Sequence, residues 1–221
     1  MTAPQALVLA KSPVPGRVKT RLGRDVGMAV AAELAAAALV DTLVACGDAF
    51  GTGRRHLALS GQLAEAVDGD ALQRRLDGWQ VRPQRGHDFG TRLVNAHLEL
   101  PALPVVQVGM DTPQVTGGLL ATVASPLDRY DAVLGAAEDG GWWVLALRDP
   151  RHAVALTGVP MSTPTTYDDS LAALVGHGLT VAGAEVLRDV DTVADADGVA
   201  ALAPGTRFAR AWGARAGGTR P

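Results

Sequence analysis

Short apolar runs of strand length alternate along this chain with helix-length segments, and that alternation constrains the fold more than any other feature. Strands are expected at Ala6–Ala10, His56–Ser60, Gln80–Arg82, Val105–Val108, Asp131–Gly135, Trp142–Leu147 and Glu185–Val190. A long helix is expected where Val30, Leu34, Ala37, Val40 and Val44 recur at spacings of three and four, with Gly47 as its stop. Shorter helices are expected at Ala71–Leu76, Thr91–Leu100, Gly117–Ala124, Asp168–Val175 and Val193–Leu202. Such a chain folds as an α/β protein, a three-layer αβα sandwich around a mostly parallel sheet. The two close strands flanking Asp139-Gly140-Gly141 leave room for one antiparallel strand. No linker or internal repeat divides residues 1–203, which read as one domain. From Pro204 the chain turns rich in Arg, Gly and Ala, and residues 204–221 read as a flexible C-terminal tail.

With 221 residues the chain can bury a sizeable core without disulfides or metal staples. Its 20 Lys and Arg against 23 Asp and Glu leave a net charge of −3. That balance excludes a nucleic-acid binder that relies on a broad basic field, yet it permits a local cationic pocket. The single cysteine, Cys46, forbids an intramolecular disulfide, so the reducing cytoplasm is the expected compartment. The first residues, Met1 to Gln5, lack the basic region of a signal peptide. The Ala-rich stretch Met28–Val44 is interrupted by Glu33 and Asp41 and reads poorly as a membrane span, so no membrane partner is expected. Nothing in the sequence sets an oligomeric state.

In open α/β sheets ligands bind beyond the carboxyl ends of the strands, which directs attention to the loops there. The first, Lys11 to Leu22, carries Lys11, Arg17, Lys19 and Arg21, with Pro15 and Gly16 shaping its backbone. Arg offers a bidentate fork and Lys a point charge, so the loop suits a polyphosphate; it reads alternatively as a solvated basic turn. Val18 before Lys19 excludes a Walker A loop. Asp111, directly after a buried strand, reads as a Mg²⁺ ligand or as a turn cap before Pro113. Glu138 and Asp139 precede Gly140-Gly141 and two tryptophans, a pattern that serves a catalytic base and acceptor site or merely a tight turn over a core. Alternation along a strand would set Asp189 and Asp191 on one side, as metal ligands, unless Asp191 or Thr192 caps the next helix. The loop Gln84–Arg92, with Asp88, Gly90 and Arg92, could read a base or ribose or open a helix at Asp88. The other histidines show no zinc-ligand spacing, and no nucleophile elbow occurs.

Taken in order, four motifs resemble one family. They are Lys11-x-Pro13-x-Pro15-Gly16-x-x-Lys19-Thr20-Arg21-Leu22, Gly109-x-Asp111-x-Pro113, Glu138-Asp139-Gly140-Gly141 and Asp189-x-Asp191-Thr192. Over about residues 5–202 the chain resembles the bacterial DUF2064 family of GT-A-fold, nucleotide-diphospho-sugar-transferase-like proteins. Family members are described as glycosyltransferases, or as similar to phospholactate and molybdenum-cofactor guanylyltransferases. The resemblance implies a GT-A or Rossmann-like fold and a nucleotide site formed by Lys11, Pro15, Gly16, Lys19, Thr20 and Arg21, with Asp88, Gly90 and Arg92 beside it. It implies Mg²⁺ or Mn²⁺ on Asp111 and Asp191, with Asp189 adjoining. Glu138, Asp139, Gly140, Gly141, Ser162 and Thr163 would serve the acceptor. The chain departs from the family with Met161-Ser162-Thr163 where Trp-Ser-Thr is common, and Phe89-Gly90-Thr91-Arg92 where Leu-Gly-Glu-Arg is common.

The expected activity is nucleotide-using transfer to a small-molecule acceptor, with Lys19, Arg21, Asp111 and Asp139 as catalytic residues. In a nucleotidyltransferase, an anionic acceptor attacks the α-phosphorus of a nucleoside triphosphate, while Lys19 and Arg21 hold pyrophosphate. In a glycosyltransferase, the donor is a nucleotide sugar and Glu138 or Asp139 supplies the base. The cationic loop favours the first; a protein of this fold that binds nucleotide without turnover is the other class.

Overall fold

Seven strands form one sheet in the computed structural model, which describes residues 3–217. The first half of the chain runs β1 (Gln5–Lys11), α1 (Thr20–Val26), α2 (Met28–Ala49), β2 (Arg55–Ser60), α3 (Gly69–Arg75), β3 (Gln80–Pro83) and α4 (Phe89–Leu98). It continues through β4 (Val105–Val108), α5 (Gly117–Ala124), β5 (Ala132–Ala137), β6 (Trp142–Leu147) and α6 (Thr166–Gly176). The last elements are β7 (Val181–Leu187), α7 (Val193–Leu202) and α8 (Arg207–Gly217). Across the sheet the order is β3-β2-β1-β4-β6-β5-β7. Only β6 runs against its neighbours; the other pairings are parallel. The order reverses between β1 and β4, where an open α/β sheet leaves its ligand crevice.

Strand alternation divides the core. Ala6, Val8, Val106 and Val108 face α2 and α5, whereas Leu7, Leu9, Val105 and Leu145 face α4, α6 and the 3-10 turns after β6. Both faces are covered, as a mostly parallel sheet requires. A third cluster ties Leu22 of α1 and Leu34 and Ala38 of α2 to Val199 of α7 and Phe208 and Trp212 of α8.

In α2 the buried residues include Ala31, Ala35, Leu39, Thr42 and Cys46 as well as Leu34, so there is no single stripe. The helix is enclosed on opposite sides by the sheet and by α1 and α8, and an enclosed helix has no polar face to keep. It also runs past Gly47 to Ala49. Among the described residues α2 is the one helix long and apolar enough to cross a membrane, and it lies mostly inside the fold. Burial pushes the Cys46 thiol up to about 12, leaving it protonated and inert.

The last strand ends at Leu187, not Val190, because β7 pairs with β5 from Ala132 opposite Val181 to Ala137 opposite Leu187. Sheet pairing overrides the weak strand propensity of Ala182, Gly183 and Ala184. The tail expected from 204 is a packed helix over Arg207–Gly217, with Phe208 and Trp212 buried against α2 and α7. Asp41 holds its start, accepting from the backbone N–H groups of Arg207 (3.0 Å) and Phe208 (2.9 Å). Met1, Thr2 and residues 218–221 lie outside the described residues, and with them the ends of the two terminal segments discussed above.

Candidate active site

A cleft of about 600 Å³ opens over the carboxyl ends of β1 and β4. The loop after β1 is anchored on its outer side: Ser12 Oγ donates to the Gln62 carbonyl (2.6 Å), and Val67 N–H donates to the Pro13 carbonyl (2.9 Å). Gly16 turns the chain at φ 77°, and Lys19 itself adopts φ 46° at the start of α1. A lysine in left-handed backbone carries a strain cost and marks a position held by its surroundings. The result aims the Lys19 side chain inward, where it is only 6% exposed.

Lys19 Nζ sits between two carboxylates, in contact with Asp111 Oδ1 and 3.3 Å from Asp191 Oδ1. Arg21 Nη1 reaches Asp191 Oδ2 at 3.3 Å from the solvent side. After β7 the chain turns back over the sheet, and Val190 N–H donates to the Asp111 carbonyl (3.0 Å) while Gln114 Nε2 donates to that of Arg188 (2.7 Å). Those two bonds bring Asp189 and Asp191 beside Asp111, although the two aspartates lie in a loop and not on the strand that alternation assumed. Asp189 Oδ1 is buried without a hydrogen-bond partner.

Charge here is closely coupled. Burial works to lower the Lys19 pKa, but Asp111 and Asp191 outweigh it and hold the ammonium above its ordinary value. Burial, reinforced by Asp111, pushes the Asp189 carboxyl up to about 7 against the pull of Lys19. Three acidic side chains around one enclosed ammonium offer oxygen-only donors, the chemistry that suits Mg²⁺ or Mn²⁺. Among the described residues no three acids are already gathered at ligating distance, since Lys19 stands between them.

The other expected residues divide. Lys11, Thr20 and Arg92 line the cleft, as do Asp139, Gly141, Ser162 and Thr163. Asp139 is exposed, with Oδ1 accepting from Gly141 N–H (2.9 Å). Six residues are displaced from the cleft wall. Pro15 and Gly16 form the exposed turn. Asp88 caps α4, accepting from Thr91 N–H (2.7 Å), and Gly90 packs beneath Met161. Glu138 pairs with Arg188 at 2.6 Å and braces the crossing segment. Gly140, at φ 90°, lies so close to the Pro164 carbonyl that a Cβ would come within 2.1 Å of it. These six position the site rather than face it.

Sequence reasoning missed the neutral half of the cleft, walled by Leu9, Phe89, Gln107, Trp142 and Met161. The legible signal was Gln107, a lone amide in the valine-rich run Val105–Val108. Above it, Gln84 Nε2 donates to the Ala10 and Ala58 carbonyls (3.0 Å each) and its Oε1 accepts from Arg92 Nε (3.1 Å). Among the described residues neither Lys11 nor Arg92 has a carboxylate at ion-pair distance.

A family model described as "Uncharacterized protein conserved in bacteria (DUF2064)" matches residues 42–163. No curated protein matches the chain by sequence. The chain is 25% identical to a protein from Desulfovibrio desulfuricans G20 assigned to the nucleotide-diphospho-sugar transferases, with a TM-score of 0.77 over 96% of this chain and 94% of that one. It shares its fold with the inositol-1-phosphate CTP transferase from T. maritima (TM-score 0.55, 12% identity, 88% and 93% covered). It does so too with Rv0371c from Mycobacterium tuberculosis H37Rv, solved with manganese (TM-score 0.51, 19% identity, 91% and 100% covered). With more than half its length matched by the family model, the chain belongs to the DUF2064 family.

Proposed function

We propose that the chain is a divalent-cation-dependent, nucleotide-using transferase, and within that class a nucleotidyltransferase that moves an NMP group from a nucleoside triphosphate to a small anionic acceptor. The observation that carries this reading is the enclosed Lys19 ammonium between Asp111 and Asp191 at the switch point of the sheet. The names of the solved relatives, a nucleotide-diphospho-sugar transferase and a CTP transferase, point to the same class. Cytoplasmic residence accords with the free, buried Cys46, and residues 1–203 are read as one catalytic unit.

Asp111, Asp191 and Asp189 are the residues that would hold Mg²⁺ or Mn²⁺, which would neutralise phosphate charge. Lys11, Arg21 and Arg92 bind and orient the polyphosphate from the rim of the cleft that they line. Lys19 holds the carboxylate pair in register and stands ready for charge that develops on the leaving pyrophosphate. In the transfer an acceptor oxygen forms a bond to the α-phosphorus, and the bond from that phosphorus to pyrophosphate breaks, pyrophosphate taking the electron pair. An ionised phosphate or carboxylate acceptor needs no general base.

One observation favours glycosyl transfer as a second reading: Asp139 reaches the cleft with Oδ2 free of the Gly141 bond, a base for a neutral hydroxyl acceptor. Incubation with each NTP, Mg²⁺ or Mn²⁺ and small phosphorylated acceptors is expected to release pyrophosphate. Turnover of a nucleotide sugar with no pyrophosphate release would overturn the nucleotidyl reading in favour of the glycosyl one.

A further inference from the structure

Gln107 sits at the centre of β4 at 2% exposure, paired across the sheet with Leu7 and Leu145. Val106 and Val108 beside it face α2, so its side chain shares the opposite face with Leu7, Leu9 and Leu145. Gln107 lines the cleft, its side-chain amide makes no hydrogen bond, and Oε1 is buried without a partner. Gln84, by contrast, spends both ends of its amide on the fold. Buried polar groups are rarely left unmade, and one that borders a cleft is free to meet a ligand.

The recess around Gln107 differs in character from the acidic half. Leu9, Phe89, Trp142 and Met161 give it apolar and aromatic walls, and Trp142 Nε1 already donates to Ser170 Oγ (3.1 Å), which leaves its ring as a surface. Gln107, Trp142 and Met161 belong to β4, β6 and the segment before α6. The cationic loop leaves β1 and is tied the other way, to Gln62 and Val67 beyond β2. A donor triphosphate held by that loop therefore lies toward β1 and β2, and the recess lies toward β6. Asp111 lies four residue steps beyond Gln107, at most about 13 Å of extended chain, the reach of a small organic molecule.

We propose that this recess is the acceptor subsite and that Gln107 is a specificity-determining residue at its floor. The acceptor turns its anionic, attacking group toward Lys19 and Asp111. Its ring or apolar body lies between Phe89, Trp142 and Met161 and presents a hydroxyl or carbonyl oxygen to the Gln107 amide. This rests on the transferase reading and narrows its acceptor from any small anion to one with a hydrogen-bonding body.

The test uses the full chain and matched probes: inorganic phosphate, phenyl phosphate and the three hydroxyphenyl phosphates, with binding measured by calorimetry. At least one hydroxyphenyl phosphate is expected to bind about tenfold or more tightly than phenyl phosphate, roughly the worth of one well-made hydrogen bond. In Gln107→Leu that preference disappears, phenyl phosphate binding is kept, and NTP affinity is unchanged. The variant also melts higher than the parent, because an unpartnered amide has been removed; a structural role for Gln107 predicts the opposite. Ring phosphates that bind no better than inorganic phosphate overturn the proposal, as does a hydroxyl preference that survives in Gln107→Leu. Altered NTP affinity in the variant also overturns it, assigning the recess to the base. Failure of the parent to bind any NTP with Mg²⁺ would instead count against the transferase reading, and the probe comparison would still decide the role of Gln107.

Discussion

Asp111 is the residue on which the acidic half of the cleft turns. Its carboxylate meets Lys19, and its carbonyl accepts from Val190 to fasten the crossing segment. Asp111→Asn keeps the shape and the backbone bond while removing one negative charge beside Lys19 and Asp189. Turnover is expected to fall at least about 100-fold, the scale for loss of one charged group that stabilises a transition state. Nucleotide binding should lose most of its dependence on Mg²⁺, with the fold intact by circular dichroism. Unchanged turnover would remove Asp111 from the site. The charged residues of this cluster were legible from type and position, since Lys19, Asp111 and Asp191 each follow a strand or cap a helix. Glu138 and Asp88 look equivalent on paper and are not, because an exposed carboxylate takes whichever partner the fold brings near: Arg188 for one, the start of α4 for the other.

At the scale of elements, α8 shows how a segment of unpromising composition earns its order. Phe208 and Trp212, four apart, supply an apolar edge that covers α2 and α7, and Trp212 Nε1 donates to Asp197 Oδ1 (2.8 Å). Asp41, from the middle of α2, satisfies the first N–H groups of the helix, a capping role supplied by a distant element. Asp41→Ala is expected to destabilise the protein by about 2 kcal/mol, the upper range for a lost cap. That corresponds to a melting temperature lower by roughly 4–8 °C in a chain of this size. Proteolysis should then cut first within α8, detectable by mass spectrometry; cleavage elsewhere, or an unchanged melting point, would refute the assignment. The Arg- and Gly-rich composition after Pro204 concealed this helix, and the spacing of Phe208 and Trp212 was its only trace.

For the whole molecule, stability should depend on pH through two enclosed histidines. Burial holds His97, on α4, down at about 4, only partly offset by its bond to the Leu93 carbonyl, and burial with Arg82 nearby does the same for His56 on β2. Unfolded, each takes up a proton near 6.5. The unfolded state therefore binds more protons between pH 6.5 and 4, and stability present above 6.5 is lost as pH falls through that window. Each histidine accounts for up to roughly 3 kcal/mol across that window. Urea denaturation at pH 7.5, 5.5 and 4.5 is expected to show the decline, and His97→Leu should flatten part of it; parallel profiles for both proteins would exclude His97.

The sequence by itself determined all the strands but the last, the main helices and the chemical kinds of the site's residues. Those follow from the spacing of apolar side chains and from charges placed at strand ends, both local properties. Only the tertiary structure decided which charges meet. Asp189 and Asp191 reach Asp111 because the chain after β7 crosses back past β5 and β6, and Gln107 lies unpartnered because alternation on β4 turns it into the recess and not toward α2. Such encounters depend on contacts between residues far apart in the chain, so no window of sequence contains them.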